Sequence, residues 1–249
     1  MAAACYRSAT RAVDGRTGTT HDYRARRRDI AHREMIGWHA DRAALWNAAE
    51  TAEKRKDAVT ARELQIALPR ELPLRTNAML AVALGMVLHR THGVAVDVCV
   101  HRGTAKDGGG QPHAHLLFTT RRVTDGATFG AKTTEWDNRR TGSQCLEAIR
   151  AAWAGLCNAA LAAAGRSERV DHRSYARQGT DTEATHIPRT AVALEAHGER
   201  TAAGDRAREA TTRNRRRQPA PEGRAPGTTP PRMPAVPHWD TAPTHPRRR

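Results

Sequence analysis

Three histidines carry the clearest chemical signal in this sequence. His113 and His115 stand two residues apart in PHAHLLFTTR, and His101 closes the preceding apolar run, VAVDVCVH. Residues i and i+2 of a strand project from the same face, roughly 7 Å apart. Between the two runs lies RGTAKDGGGQ, whose Asp107, Gly108, Gly109 and Gly110 suit a long, flexible hairpin loop. Val94, Val96, Val98 and Val100 then share one face, leaving Ala95, Asp97, Cys99 and His101 on the other. Such a hairpin can gather three imidazoles on one face of a sheet and turn Val, Leu and Phe to the core. Three neutral imidazoles suit a borderline divalent metal and leave positions open for a substrate oxygen. An H-x-H strand is by itself equally compatible with two half-exposed histidines and no metal. The third histidine, at the end of the partner run, favours a catalytic site, and the remaining histidines show no comparable pairing.

The elements that must hold this hairpin can be read from the surrounding chain. MAAACYRSATRA is rich in helix formers around Tyr6, and Asp14-Gly15 and Thr17-Gly18 mark turns. Asp41 is placed to cap a helix through RAALWNAAETAEKRK. TARELQIALP alternates as a half-buried strand stopped by Pro69, with Leu64, Ile66 and Leu68 facing one way and Glu63 and Gln65 the other. An apolar helix is expected from Asn77 to Arg90, ending near Gly93. After the hairpin, VTDGATFGAKTTEWDNRRTG reads as a loop or short hairpin. Ser143 is expected to cap a second long helix that Gly165 closes. This order predicts an α+β fold, a largely antiparallel sheet with helices on one face.

Composition narrows the partners. Lys and Arg number 41 against 26 Asp and Glu, a formal net charge of +15. That excess favours polyanions, nucleic acid first. The bias has a mundane part, since only four of the basic residues are Lys and a GC-rich genome also writes Arg and Ala. No apolar run approaches the roughly 20 residues of a membrane span, and no signal peptide is visible, so a cytoplasmic protein without membrane insertion is expected. Cys5, Cys99, Cys145 and Cys157 lack metal or disulfide spacing. From about residue 201 the chain holds nine of its thirteen prolines and the run Arg213 to Arg217, which predicts a disordered basic tail over 201–249. Residues 1–200 would form the folded domain.

A metal on a sheet in so basic a protein fits a phosphate substrate, with charge withdrawn from a phosphoryl oxygen. Tyr6, Tyr23 and Tyr175 are the three tyrosines available as nucleophiles. A phenol needs help to attack, yet leaves easily, so a tyrosine-linked DNA strand could be cut, carried and rejoined without ATP.

The chain resembles the MobA/MobL relaxases, mobilisation-type HUH endonucleases that nick plasmid DNA at a transfer origin. The resemblance rests on AAACYRSATR, RTGTTHDY, LWNAAETAEKRKDA, RELQIALPREL, the His101 strand, QPHAHLLFTTR, the helix ending AWAGLCNAALAAAG, and RVDHRSYARQGTDTEATH followed by LEAHG. It covers nearly everything from residue 2 to about 200. It implies that His101, His113 and His115 bind Mg²⁺ or Mn²⁺ and that Tyr6 is the nucleophile, left on a 5′ phosphate. Glu63 becomes a candidate partner for a histidine N–H. Arg24, Arg26, Arg27, Arg28, Arg121 and Arg122 become candidate DNA contacts, and Tyr23 and Tyr175 pack or touch DNA. Implied partners are single-stranded DNA at a transfer origin, accessory mobilisation proteins and a coupling protein. Family members usually begin with a strand and a basic loop ahead of the tyrosine motif, whereas only five residues precede Tyr6. The expectation is therefore a domain incomplete at its N-terminus, with Met1 standing where a longer protein would have Val. Alternatives are a rolling-circle replication initiator of the same chemistry and a basic DNA-binding protein without catalysis. A histidine-triad nucleotide hydrolase also uses HAH strands, but Leu117 stands where its third histidine would be.

Overall fold

The computed structural model describes residues 1–55, 57–105, 108–180, 182, 183, 185 and 187–217. Ala2–Ser8 forms helix α1, followed by the short hairpin β1 (Arg11–Val13) and β2 (Thr20–Asp22), a 3-10 turn over Arg24–Asp29, and β3 (Ile30–Ile36). Then come α2 (Arg42–Thr51), β4 (Ala61–Ala67), α3 (Leu74–His92), β5 (Val94–His101), β6 (His113–Thr124), β7 (Thr128–Lys132) and α4 (Arg139–Ala163). The main sheet runs β3-β5-β6-β4, every pair antiparallel, and β7 adds to the far end of β6. The expected antiparallel α+β architecture is present. The histidine hairpin lies at its centre, where neither strand has a free edge.

Alternation divides the sheet into two faces. Val96, Val98, Val100, Ala114, Leu116 and Phe118 turn one way and pack with Ala81, Leu84 and Leu88 of α3 and Ile149 of α4. α3 comes close to the sheet because residue 85 is glycine; a Cβ there would stand 2.7 Å from Ile36 Cδ1 and 3.0 Å from Val98 Cγ2. The opposite face is also covered, beyond the single helical layer expected. Ala95 and Leu117 pack with Ala4 of α1 and Leu45, Trp46 and Ala49 of α2. Asp97, 1% exposed, ties α2 to the sheet. Both its oxygens accept from Arg42 at 2.7 Å, and Trp46 Nε1–H donates to it at 3.0 Å, which satisfies a carboxylate that burial would otherwise penalise heavily.

Several expected boundaries hold. Asp41 caps α2 by accepting from the Ala44 N–H at 2.8 Å, and Gly93, at φ +67°, ends α3. α4 differs: it starts at Arg139, capped by Asn138, whose side chain accepts from the Arg140 and Thr141 N–H groups. Ser143 lies inside that helix and donates to the Arg140 carbonyl. Asn138 stands five residues before the expected cap and satisfies the first free N–H groups there. β3 is absent from the sequence reading. It is an edge strand carrying His32, Arg33 and Glu34, and no apolar alternation marks it.

The chain divides into two compact units, Met1–His172 and Arg173–Arg249. In the second unit Arg189–Ala196 forms α5 and Ala202–Arg217 forms α6. The disordered tail expected from 201 is thus corrected over 202–217. Gly204, Ala207 and Ala210 form a buried stripe at helical spacing, and Glu195 accepts from Thr201 and Arg208. The rest of the expected tail, 218–249, lies outside the described residues, as do Lys106 and Asp107 of the hairpin loop.

Candidate metal centre

The register of the central hairpin sets the site. His101 pairs with His113, and Cys99 with His115, so the three imidazoles meet at the loop end of β5 and β6. Their ring centroids are 5.2, 4.8 and 5.3 Å apart, and a nitrogen from each lies within 4.8 Å of the other two. His101 is 3% exposed and His115 9%, while His113 is half-buried.

Each ring spends one nitrogen on a fixed acceptor. His115 Nδ1–H donates to Glu63 Oε1 at 2.6 Å, His113 Nδ1–H to the Gln111 carbonyl at 3.0 Å, and His101 Nε2–H to the Arg7 carbonyl at 2.7 Å. Those acceptors fix the tautomers, leaving a lone pair on His115 Nε2, His113 Nε2 and His101 Nδ1. Burial, reinforced by the neighbouring His115 and His113, pushes His101 down to about 4, so this ring is neutral at pH 7. Oriented neutral imidazoles with a lone pair each are what a divalent cation requires, and the cluster is compatible with one. The loop that presents His113 depends on Gly103, at φ +56°, where a Cβ would run into the Gln111 carbonyl.

Glu63 stands where its strand alternation put it. Hydrogen bonding from His115, then from Arg7, holds its carboxyl down at about 2 against the effect of burial. Arg7 Nε and Nη2 both donate to it at 2.8 Å. Beneath the histidines, Cys99 is fully buried and its thiol donates to Asp97 at 3.6 Å. Burial and the Asp97 charge push that thiol well up, so it stays protonated and fills space.

Tyr6 is 41% exposed on α1. Its ring meets the edge of Tyr23 at 5.3 Å, and the Arg26 guanidinium lies 4.0 Å from its centroid. The helix is pinned at its end by Arg33, which donates to the Ser8 carbonyl at 3.1 Å. Of the basic run, Arg24 pairs with Asp22 at 2.7 Å and Arg26 with Asp29 at 3.4 Å. Arg27 and Arg28 are exposed, with no ion-pair partner among the described residues. Arg121 and Arg122 sit at the other end of β6, roughly 20 Å from His115 at a strand rise near 3.3 Å per residue. Arg121 pairs with Glu53 and Arg122 with Glu135, each at 2.8 Å. The structure thus brings Glu63, His101, His113 and His115 together and leaves Arg121 and Arg122 apart. Sequence reasoning missed Arg7, Arg33 and the Arg42–Asp97 pair; the only local hint was the position of Arg7 next to Tyr6.

Two open clefts, of about 510 and 550 Å³, lie along β4 with α4 and around Glu53, and neither includes a histidine of the cluster.

A histidine cluster on the central strands of an antiparallel sheet, with a tyrosine helix over it, defines a strand-borne candidate metal centre. The chain belongs to the MobA/MobL family, whose model matches residues 1–197. It is 35% identical over 222 residues to the mobilization protein MobL of Acidithiobacillus ferridurans, covering 78% of this chain and 58% of that one. It is 31% identical over 189 residues to mobilization protein A of Escherichia coli, covering 69% of this chain and 26% of that one. A solved structure described as the molecular basis of vancomycin resistance transfer in Staphylococcus aureus superposes with a TM-score of 0.59 at 27% identity, over 70% of this chain and 90% of that one. The chain therefore spans little more than half of the first of these relatives and about a quarter of the second. Among the described residues no helix is long and apolar enough to cross a membrane.

Proposed function

We propose that this chain is a DNA relaxase that nicks one strand at a plasmid transfer origin through a covalent tyrosine link. In this reading Tyr6 Oη forms a bond to the phosphorus of a phosphodiester as the bond to the 3′ oxygen breaks. The phenol proton is released and the 3′ oxygen leaves as a hydroxyl, so the phosphodiester count is unchanged and religation needs no ATP. His101, His113 and His115 would hold Mg²⁺ or Mn²⁺, which supplies electrostatic withdrawal of charge from a phosphoryl oxygen. Glu63 keeps His115 in the tautomer whose Nε2 is free. Arg24, Arg26, Arg27 and Arg28, on the turn beside Tyr6, would carry the phosphate contacts that supply salt-dependent affinity. Partners would be single-stranded DNA, accessory mobilisation proteins and a coupling protein.

The observation that carries this reading is the contact between helix and cluster. Arg7, next to Tyr6 in the chain, accepts from His101 and donates twice to Glu63, so the nucleophile's helix is docked on the histidines. The test uses single-stranded oligonucleotides tiling the DNA that flanks the gene, with Mn²⁺ present. The parent should give a covalent protein–DNA adduct on a denaturing gel, and Tyr6→Phe should give none. An adduct that survives in Tyr6→Phe and vanishes in Tyr23→Phe would move the nucleophile. Tight DNA binding with no adduct under any divalent metal would favour a DNA-binding protein without catalysis.

A further inference from the structure

Arg7 touches both halves of the site, and the contacts come from different parts of the residue. Its carbonyl accepts the His101 Nε2–H at 2.7 Å. Its guanidinium grips Glu63 through two parallel N–H···O bonds of 2.8 Å, and the same Glu63 oxygen that takes Arg7 Nε also takes His115 Nδ1–H. Two of the three histidines are therefore oriented through one residue. That residue lies in α1, directly after Tyr6, in a helix of seven residues. A helix so short has little stability of its own and takes its position from what it touches. Its other anchors are small: Ala4 and Met1 pack with the cluster formed with α2, Cys5 is buried, and Arg33 donates to the Ser8 carbonyl.

We propose that Arg7 is a positioning residue that couples metal loading to placement of the tyrosine helix. The inference rests on the relaxase reading for its consequence, and on the hydrogen bonds alone for its origin. An order that fixes His101 and His115 for a cation also fixes the Arg7 backbone, and through it the start of the attack trajectory from Tyr6. Linkage then runs both ways: a cation that favours the docked arrangement tightens α1, and loosening α1 weakens the cation. The fork geometry is the reason for arginine here. Lysine keeps the charge but offers one point contact to Glu63, which leaves the helix free to swing about it.

The test measures Mn²⁺ binding and α1 order on the full chain without DNA, beside adduct formation. Titration calorimetry should show Arg7→Ala binding Mn²⁺ about 10–100-fold more weakly than the parent. Arg7→Lys should fall between them. Tyr6→Phe should stay within about twofold of the parent, because the phenol takes no part in holding the histidines. In the parent, Mn²⁺ should slow amide exchange across Ala2–Ser8, and in Arg7→Ala at the same fractional saturation it should not. With oligonucleotide, kcat for the adduct should fall about 10²-fold while KM changes little, as expected for a misplaced nucleophile. Unchanged Mn²⁺ affinity with a raised KM would make Arg7 an ordinary phosphate contact and overturn the proposal. Should Arg7→Ala fail to fold, Arg7→Lys decides, since parent-like affinity and exchange in that variant overturn it equally. A parent that binds Mn²⁺ but forms no adduct defeats the relaxase reading and leaves the coupling to be judged on affinity and exchange.

Discussion

The two ends of β6 carry residues of similar promise, and the fold satisfies them in opposite ways. At the loop end, His113 and His115 each commit one nitrogen to an acceptor and keep the other free, facing His101. At the far end, Arg121 donates to Glu53 and the Gly130 carbonyl, and Arg122 donates to Glu135 and the His92 carbonyl. The first end is oriented but unfinished; the second is closed on itself. Spare bonding capacity held in a fixed direction is what the histidine end has and the arginine end lacks. For Arg121 and Arg122, expected as DNA contacts, the sequence displays the charge and conceals the partner, which for Arg121 lies 68 residues away.

Removing the spare capacity should give the largest effect. His113→Ala is expected to reduce nicking about 10³-fold or more, since it deletes a ligand from the proposed metal site. Thermal stability and the salt slope of DNA binding should barely change, because a half-exposed ring contributes little packing and arginines supply the affinity. Parent-like nicking in this variant would reduce the cluster to three packed imidazoles. Breaking the closed end should do the reverse. Glu53 is 4% exposed in its side chain and is shared by Arg121 and Lys132, whose hydrogen bonds hold its pKa down against burial. Glu53→Gln should cost about 2 kcal/mol of stability, measured by urea unfolding, by leaving two cations without their counter-ion. Turnover at saturating DNA should stay within about twofold. A loss of turnover equal to that of His113→Ala would erase the distinction between the two ends.

The same contrast explains what was legible in the chain. The hairpin announced itself through a period of two, four valines on one face and a glycine-rich loop, and the register followed from that face. Glu63 was legible as a carboxylate on the polar side of an alternating strand. The bonds that make these residues a site were not: His115 and Glu63 are 52 residues apart, and Arg7 and Glu63 are 56. No local pattern encodes such pairs. β3 escaped because an edge strand tolerates polar residues on both faces, and its Arg33 turned out to anchor α1. α6 escaped for the opposite reason. Its arginines dominate the composition, while the small residues that fold it, Gly204, Ala207 and Ala210, carry almost no hydrophobic signal.

The smallest effect expected is on stability in mild acid, and its sign separates the two ends once more. Burial depresses His101 from its ordinary 6.5 to about 4. Protons therefore bind the unfolded chain more tightly than the folded one across that interval. The stabilisation tied to the neutral ring is complete above pH 6.5 and is lost as the pH falls through about 4. Glu63 adds a second loss from 4.5 towards about 2, because His115 and then Arg7 hold its charged form. At the closed end the arginines do not titrate, and Glu53 and Glu135 are both lowered, so their contribution falls only below the ordinary 4.5. Between pH 6.5 and 4.5 the cited shifts thus place the loss at the histidine end alone. Urea unfolding at several pH values in that window, with a chelator present, should show the parent losing stability as the pH drops. His101→Gln keeps a donor for the Arg7 carbonyl but cannot titrate, so its slope should be flatter, whereas Glu53→Gln should keep the parent slope on a lower baseline. A His101→Gln slope as steep as the parent's would place the responsible group elsewhere in the fold.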